Sequence, residues 1–574
     1  MNEDFQVSGT NAAALFTLKL HRGDGMTLIA MNWKKGKPPA DFVGFAIEFR
    51  EPGDDKFAPL KNRVSFPDTG GAVNKNSLST RLAPIQKFRW IHFPHNAEAD
   101  GAFTYRVTPV FMDSDDDLSY GEPQEADIEL RRETHPGKLN VAFTRGFISS
   151  QAFVDRFAKD KNAISTLLPA KADDGLDFTP THPQAEEALK WMGFEAREEI
   201  LGLLDEAIKD KKAQVRVVAY DLSERAFVER LEQLGPRLKI IIDDSGTHGP
   251  ADSSETAAAE RISATAGKAN VRRQHMGNLQ HNKSIVVDGP KVQAAVGGST
   301  NFSWRGFYVQ SNNAVIVRGK QAIQPFLKAF EDYFGNDNSV ADFGATGSAE
   351  LTSLGLAGID AKITFSPHAK SNALLKSIAD EIGTKTNSCL FYSLAFLFQT
   401  PGAIRDAIEK VSKNDKIFVY GISDKKVGGG LDLQKPDGNI SPVFPAALTK
   451  NLPEPFKSEP TGGGGVRMHH KFVVIDFDKP TARVYLGSYN FSGAADTSNG
   501  ENLLVIRDRR VAVSYMIQAL SLFDHYHFRV VQQEATTAKK KLALAKPPRA
   551  AGETAWWEKD YTDVRRIRDR QLFA

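Results

Sequence analysis

His281-Asn-Lys283-Ser-Ile-Val-Val-Asp288 returns far downstream as His469-His-Lys471-Phe-Val-Val-Ile-Asp476, and each H-x-K-x4-D run is followed by Gly-Ser-x-Asn. The first copy leads to Gly298-Ser299-Thr300-Asn301 and the second to Gly487-Ser488-Tyr489-Asn490, with nine and ten residues between the Asp and the Gly. A duplication that keeps both residue chemistry and spacing predicts two related halves that build one site between them. The register extends further. Asn312 and Glu501 stand at the same interval after Asn301 and Asn490, and each opens an apolar run, 312–317 and 501–506.

The segments around the motifs alternate between strand and helix patterns, which predicts an α/β fold. Strands are expected at 214–220 and 238–243 with a helix over 224–234 between them. The second half repeats that order at 388–397, 403–412 and 416–420. Helices through 326–334 and 516–523 close the two units. The expected division is 135–345 and 346–535, joined by a small, polar linker at 335–351. Residues 1–134 read instead as short alternating runs, 26–33, 42–50, 88–93 and 104–112, between Gly, Pro and Asp turns. They predict an all-β sandwich like an immunoglobulin or fibronectin domain, with Trp33 and Trp90 as core candidates and Tyr105 on a strand. His92 and His95, three apart and so on opposite faces of a strand, read as structural or surface histidines. Loops are expected at 171–184 and at 427–466, the second rich in Gly and either a lid or disordered. The tail, 536–574, reads as a strap across the body.

Bulk numbers bound the function. With 574 residues, several cores are expected. The apolar stretch 389–398 is too short to span a bilayer, the start lacks a leader pattern, and the single Cys389 cannot form an internal disulfide, so a cytoplasmic setting is expected. A net charge of +2 from 73 basic and 71 acidic side chains gives no global field for a polyanion. Phosphate contacts must be local, and Arg272, Arg273, Arg467 and Lys539 to Lys541 are the candidate patches.

In an extended strand His281 and Lys283 share a face, as do His469 and Lys471, whereas His470 points away, so the His-His pair is a poor metal ligand set and no metal or cofactor is expected. Asp288 and Asp476 fall on the opposite face and read as structural anchors. Lysine ammonium groups and the amides of Asn301 and Asn490 suit non-bridging phosphoryl oxygens, and the Ser299 and Ser488 hydroxyls are candidate additions. One neutral imidazole attacks phosphorus and the other, protonated, serves the leaving oxygen. The pattern is that of a phosphodiester site.

The paired motifs resemble the phospholipase D superfamily over about 140–530. The resemblance implies two pseudo-symmetric α-β-α repeats, a covalent phosphohistidine, His281 as nucleophile and His469 as general acid and base. It also implies a carboxylate after Gly-Ser-x-Asn that orients the imidazole. Glu501 fills that place in the second half and Asn312 in the first, so Glu501 is expected beside His469 and Asn312 beside His281. Phe365-Ser-Pro367 opening a helix, Met468 to Phe472 and Gly487 to Asn502 are similar to the bacterial endonuclease branch. A nuclease acting on DNA or RNA is therefore expected first, with Arg272, Arg273 and Arg467 positioning the strand. The alternative is a phospholipase D, with 394–398 as an apolar rim and transphosphatidylation to alcohols as a further capacity. A non-enzymatic scaffold is a third class, opposed by the intact His and Lys pairs. The N-terminal sandwich suits targeting or homo-oligomer formation.

Overall fold

The computed structural model describes residues 4–67, 77–130, 133–146, 153, 156–157, 163–395, 397, 402–424, 431–443, 468–539 and 542–574. Period-two alternation before residue 130 produces two antiparallel sheets. Gln6–Ser8, Phe16–Arg22, Thr27–Trp33 and Arg89–His92 form one. Ala58–Pro59, Phe42–Arg50, Ala102–Met112 and Leu118–Tyr120 form the other, and Gln124–Glu129 also pairs with Ala102–Met112. Phe16, Ile29 and Trp33 of the first sheet meet Phe42, Phe45 and Tyr105 of the second in one apolar cluster. Trp90 packs against its edge. His92 is spent on Tyr105, Nδ1 to the hydroxyl at 3.0 Å.

The remaining chain builds two larger sheets. The first runs Leu139–Phe143, Asn313–Arg318, Gln293–Gly298, Ser284–Asp288, Gln214–Ala219, Leu238–Ile242 and Val271–Arg273. The second contains Asp360–Ser366, Glu501–Arg507, Arg483–Gly487, Lys471–Ile475, Cys389–Leu394 and Phe418–Asp424 in the equivalent order. In each, the strand pair Gln214–Ala219 with Leu238–Ile242, or Cys389–Leu394 with Phe418–Asp424, is parallel and is bridged by a helix, Arg225–Leu234 or Ala403–Ser412. A parallel pair needs such a crossover. The motif strands are continuous apolar runs because both their faces are covered: Ile285, Val286 and Val287, like Phe472 to Ile475, are buried.

The halves share a core. Val296, Val315 and Phe326 belong to the same apolar cluster as Phe365, Leu486 and Leu504, and the Phe326 and Phe365 rings lie 5.6 Å apart. Main-chain bonds join the motif segments across the divide. His469 donates to Ser311 O at 3.2 Å, and Gly500 donates to Leu279 O at 2.8 Å.

Three expectations need correcting. The stretch 335–351 is packed rather than a spacer: it contains the helix Val340–Gly344, and Phe343 is buried with its ring stacked 4.1 Å from Tyr333. One aromatic anchor outweighs the polar composition around it. Within 427–466 the strands Leu431–Gln434 and Ile440–Val443 extend the second sheet, while Gly428 to Gly430 and Gly462 to Gly465 lie outside the described residues. Phe365-Ser-Pro367 does not open a helix; it ends the strand Asp360–Ser366, and the helix starts at Leu375.

The tail straps the body. Trp556 Nε1 donates to Phe42 O at 3.0 Å, and Phe573 stacks on Phe477 at 5.7 Å in the core. No helix of the described residues is long and apolar enough to cross a membrane.

Candidate active site

Each H-x-K enters its motif strand at the junction of the halves, where the facing of the two sheets brings the imidazoles together. The His281 and His469 ring centroids are 6.3 Å apart. Both rings are almost fully buried, as are Lys283 and Lys471. Lys471 Nζ donates to His469 O at 2.8 Å and Lys283 Nζ to His281 O, so each ammonium is anchored beside its own imidazole. His470 lies on the opposite face against Asn313 and Gln518.

The carboxylate and amide partners are exchanged relative to expectation. Glu501 Oε2 lies 2.7 Å from His281 Nδ1. Asn312 Oδ1 lies 2.8 Å from His469 Nδ1, which also faces the Ser299 carbonyl at 3.1 Å. A carbonyl can only accept, so His469 carries its proton on Nδ1 there. The cause of the exchange is topological. The strands Asn313–Arg318 and Glu501–Arg507 begin at the junction of the halves, and their first side chains cross it. Asn502 does the same, with Nδ2 donating to Asn282 Oδ1 at 2.8 Å. Equal intervals along the chain reveal that Asn312 and Glu501 are equivalent, but not which imidazole each reaches.

The serines have a different role from the one expected. Ser488 Oγ donates to Glu501 Oε2 at 2.6 Å and accepts from Asn502 N at 2.9 Å. Ser299 Oγ donates to Asn312 Oδ1 at 3.0 Å and accepts from Asn313 N at 3.1 Å. Both hydroxyls are used in holding the partner of an imidazole. Asn301 and Asn490 retain buried Oδ1 atoms without a hydrogen-bond partner, and Asn301 Nδ2 reaches toward Asp221 at 3.5 Å.

Burial sets the electrostatics. It pushes both imidazoles well below their ordinary value, helped by the two lysines. Burial also brings Lys283 down to about 7, against the pull of Glu501, Asp221 and Asp243. Lys471 falls well below its usual range from burial and from the Lys283 charge. Glu501 rises to about 7 because burial outweighs the lysines and Ser488. A carboxyl whose folded pKa is raised above its unfolded value stabilises the fold below the unfolded pKa and loses that contribution as pH rises through the folded one. Glu501→Gln is therefore expected to melt several degrees above the parent at pH 8, with the difference gone near pH 4.5. An unchanged melting temperature at pH 8 would show that the carboxylate carries no such cost.

A neighbouring cluster was not foreseen. The Tyr220 ring lies 4.5 Å from the His281 ring and 4.5 Å from Lys283 Nζ. Beyond it Asp221, His248 and Glu255 place ligand atoms within 4.8 Å of one another, a group able to hold a metal ion. His248 Nδ1 sits 2.8 Å from Asp243 Oδ2. Burial lowers the His248 pKa, but the Asp243 hydrogen bond with Glu255 and Asp221 outweighs it and the result is raised. These residues carry no repeated spacing; their one trace in the sequence is that Tyr220-Asp221 follows the apolar run ending at Ala219.

The remaining candidates lie elsewhere. Asp476 accepts backbone N–H groups of Asn387, Ser388 and Cys389, with Ser388 at 2.8 Å, and so pins the start of the strand Cys389–Leu394. Asp288 has no equivalent role: it is partly exposed and accepts from Gln293 at 3.3 Å. Asp210 takes that position, accepting from Lys291 N at 2.8 Å. Asp476→Ala is expected to cost about 3 kcal/mol in urea unfolding, because buried donors are left unpaired. Asp288→Ala should stay within about 0.5 kcal/mol. Equal losses would contradict this division.

Arg272 is spent on Phe334 O, Asn336 O and Asp337, where the helix Lys320–Phe334 leaves its last carbonyls unpaired. Arg273 donates to Thr256 Oγ1 at 2.9 Å and Asp243 O at 3.0 Å. Neither guanidinium is free for a phosphate as expected. Arg467, Lys540 and Lys541 lie outside the described residues. Of the suggested apolar rim 394–398, Leu394, Ala395 and Leu397 are buried in the core, and the other two positions fall outside the described residues.

A family model described as "Cardiolipin synthase, PLD-like domain" matches residues 204–334 and 382–521. A phospholipase D from Rickettsia felis is 46% identical over 48 residues, which is 8% of this chain and 22% of that protein. The chain thus spans less than a quarter of the length of this curated relative. A phosphatidylserine synthase from Haemophilus influenzae Rd KW20 superposes with a TM-score of 0.42 at 12% identity, covering 60% of this chain and 92% of that one. Nuc, a phospholipase D family member from Salmonella typhimurium, gives 0.21 at 27% identity over 24% of this chain and 87% of its own.

Proposed function

Because the chain belongs to the phospholipase D superfamily, with one domain of that kind in each half, we propose that it cleaves phosphodiesters through a phosphohistidine on His281 and that its substrate is nucleic acid. The observation that carries the mechanism is the unequal pairing of the two rings: Glu501 on His281 and Asn312 on His469. With Nδ1–H held by Glu501, the His281 Nε2 lone pair faces outward as nucleophile. As the Nε2–P bond forms and the P–O bond breaks, the imidazole becomes cationic and the adjacent carboxylate stabilises it. His469, bonded to an amide and a carbonyl, has no anion of its own. The charge of the bound phosphodiester raises the proton affinity of His469, which takes up a proton from solvent on Nε2 and passes it to the leaving oxygen. Water then attacks phosphorus, gives its proton to His469 Nε2 and frees His281. Lys283 and Lys471, with Asn301 and Asn490, serve the non-bridging oxygens.

Nucleic acid is favoured over lipid by the burial of Leu394, Ala395 and Leu397, which leaves that suggested interfacial rim without exposed apolar surface at those positions. The name of the Rickettsia felis relative supports phospholipase D as the second reading. One preparation offered single-stranded DNA, duplex DNA, RNA and phosphatidylcholine vesicles, with His469→Ala as the blank, decides between them. Cleavage of a nucleic acid is expected, and lipid hydrolysis alone would reverse the ranking. The rate should survive EDTA, since the lysines supply the positive charge; loss of activity with recovery on adding a divalent ion would instead assign a role to Asp221, His248 and Glu255.

A further inference from the structure

A cavity of about 770 Å³ lies where the N-terminal sheets, the first half and the helix Arg509–Thr537 meet. Much of its wall is apolar: Trp90, Ile91, Phe93, Trp191, Phe194 and Phe528 line it, each only partly buried. Two cations stand in this wall without a counter-ion bound to them. Lys87, exposed on the cavity lining, makes no hydrogen bond or ion pair among the described residues. Arg145 is 7% exposed and its Nε lacks a hydrogen-bond partner. Its guanidinium sits instead among the rings of Phe93, Phe194 and Trp191, at 4.0, 4.1 and 4.9 Å from their centroids.

The cage is held at a conformational cost. Phe194 has φ 43° and ψ −141° inside the helix Ala185–Lys209, where a residue with a Cβ is strained. That backbone turns its ring onto Arg145 and Phe93. The acids on the same lining attract these cations without a direct hydrogen bond to them, Asp524 acting on Lys87 and Asp24 on Arg145. Asp524 is engaged by Arg89 at 2.6 Å, and the Asp24 carboxyl is pushed well above its usual range by burial and by Glu195. Their presence disfavours a dianion such as a phosphate monoester. An apolar volume in the range of small-molecule sites, roughly 300–1,000 Å³, with unpaired positive charge in its wall suits a monoanion with a hydrocarbon chain.

We propose that this cavity binds a single-chain alkyl carboxylate of the fatty-acid type, with its carboxylate on Arg145 and its chain among the aromatic side chains. Lys87 adds a second positive charge to the same space. The site stands directly behind the catalytic centre. Thr144 and Gln518 are part of its lining; Thr144 Oγ1 accepts from Asn312 N at 2.9 Å, and Gln518 contacts His470 at 3.2 Å.

The full chain titrated with 12-bromododecanoate, below its micelle concentration, should show saturable quenching of tryptophan fluorescence, because Trp90 and Trp191 are in the wall. Arg145→Met should weaken the binding about tenfold or more, the scale of a lost charge-assisted bond. Lys87→Met, which breaks no bond in the fold, should weaken it roughly fivefold. The proposal is overturned if quenching does not saturate, if Lys87→Met titrates like the parent, or if the uncharged 12-bromododecanol binds equally well.

Discussion

With bis(p-nitrophenyl) phosphate, His469→Ala is expected to release a stoichiometric burst of p-nitrophenol and then stop, whereas His281→Ala releases none. The leaving group in this substrate is acidic enough to depart without a proton, so loss of the general acid leaves the first step intact. Breakdown of the phosphoenzyme still requires a base to activate water, and the covalent species accumulates in the His469→Ala protein. Removing the nucleophile abolishes the intermediate and lowers turnover by roughly 10⁶-fold, the scale found when a covalent nucleophile is lost. Intact mass after acid-free quenching reads the adduct directly. A burst from His281→Ala and none from His469→Ala would reverse the two roles.

Glu501→Gln is expected to reduce turnover by about 10³–10⁴-fold, as when the carboxylate orienting a catalytic imidazole is replaced by its amide. The defect should fall on phosphoenzyme formation, because Glu501 lies on His281 at 2.7 Å and not on His469. Asn312→Ala should leave the burst intact and slow the steps that need His469. The parent rate should pass through a maximum near pH 7, rising as the Glu501 carboxyl ionises and falling as Lys283 loses its proton, and the rising limb should vanish in Glu501→Gln. Slowed dephosphorylation with normal phosphorylation in Glu501→Gln would place the carboxylate's action on the wrong ring and refute the geometry.

The expected penalty and the expected gain at Glu501 share a cause. The site excludes water from a carboxyl group, two imidazoles and two ammonium groups, all nearly fully buried. Exclusion strengthens each interaction available to a bound phosphodiester and weakens the fold that holds it, a frequent exchange at catalytic centres.

Much of the architecture was legible in the chain because periodicity reports locally. The strand Phe42–Arg50 and the helix Ala403–Ser412 fall where their patterns place them. Boundaries slipped where tertiary contacts extend an element, as in the helix Arg509–Thr537, whose pattern marked only its middle. The packed linker at Phe343 was missed because one buried aromatic in a polar segment leaves no period. Arg272 and Arg273 misled because a charge in sequence carries no record of whether a carbonyl or solvent will meet it.

The sequence by itself determined that two equivalent half-sites exist and which side chains they contribute, since a repeat preserves identity and spacing. It also placed His470 away from His469, because strand alternation is a local rule. Tertiary structure alone decided which half completes the other. The strands beginning at Asn313 and Glu501 start at the junction, so Asn312 and Glu501 reach across it, and Glu501 belongs to His281 although 220 residues separate them. Contacts across a junction depend on how two sheets face each other, and no interval along the chain encodes that.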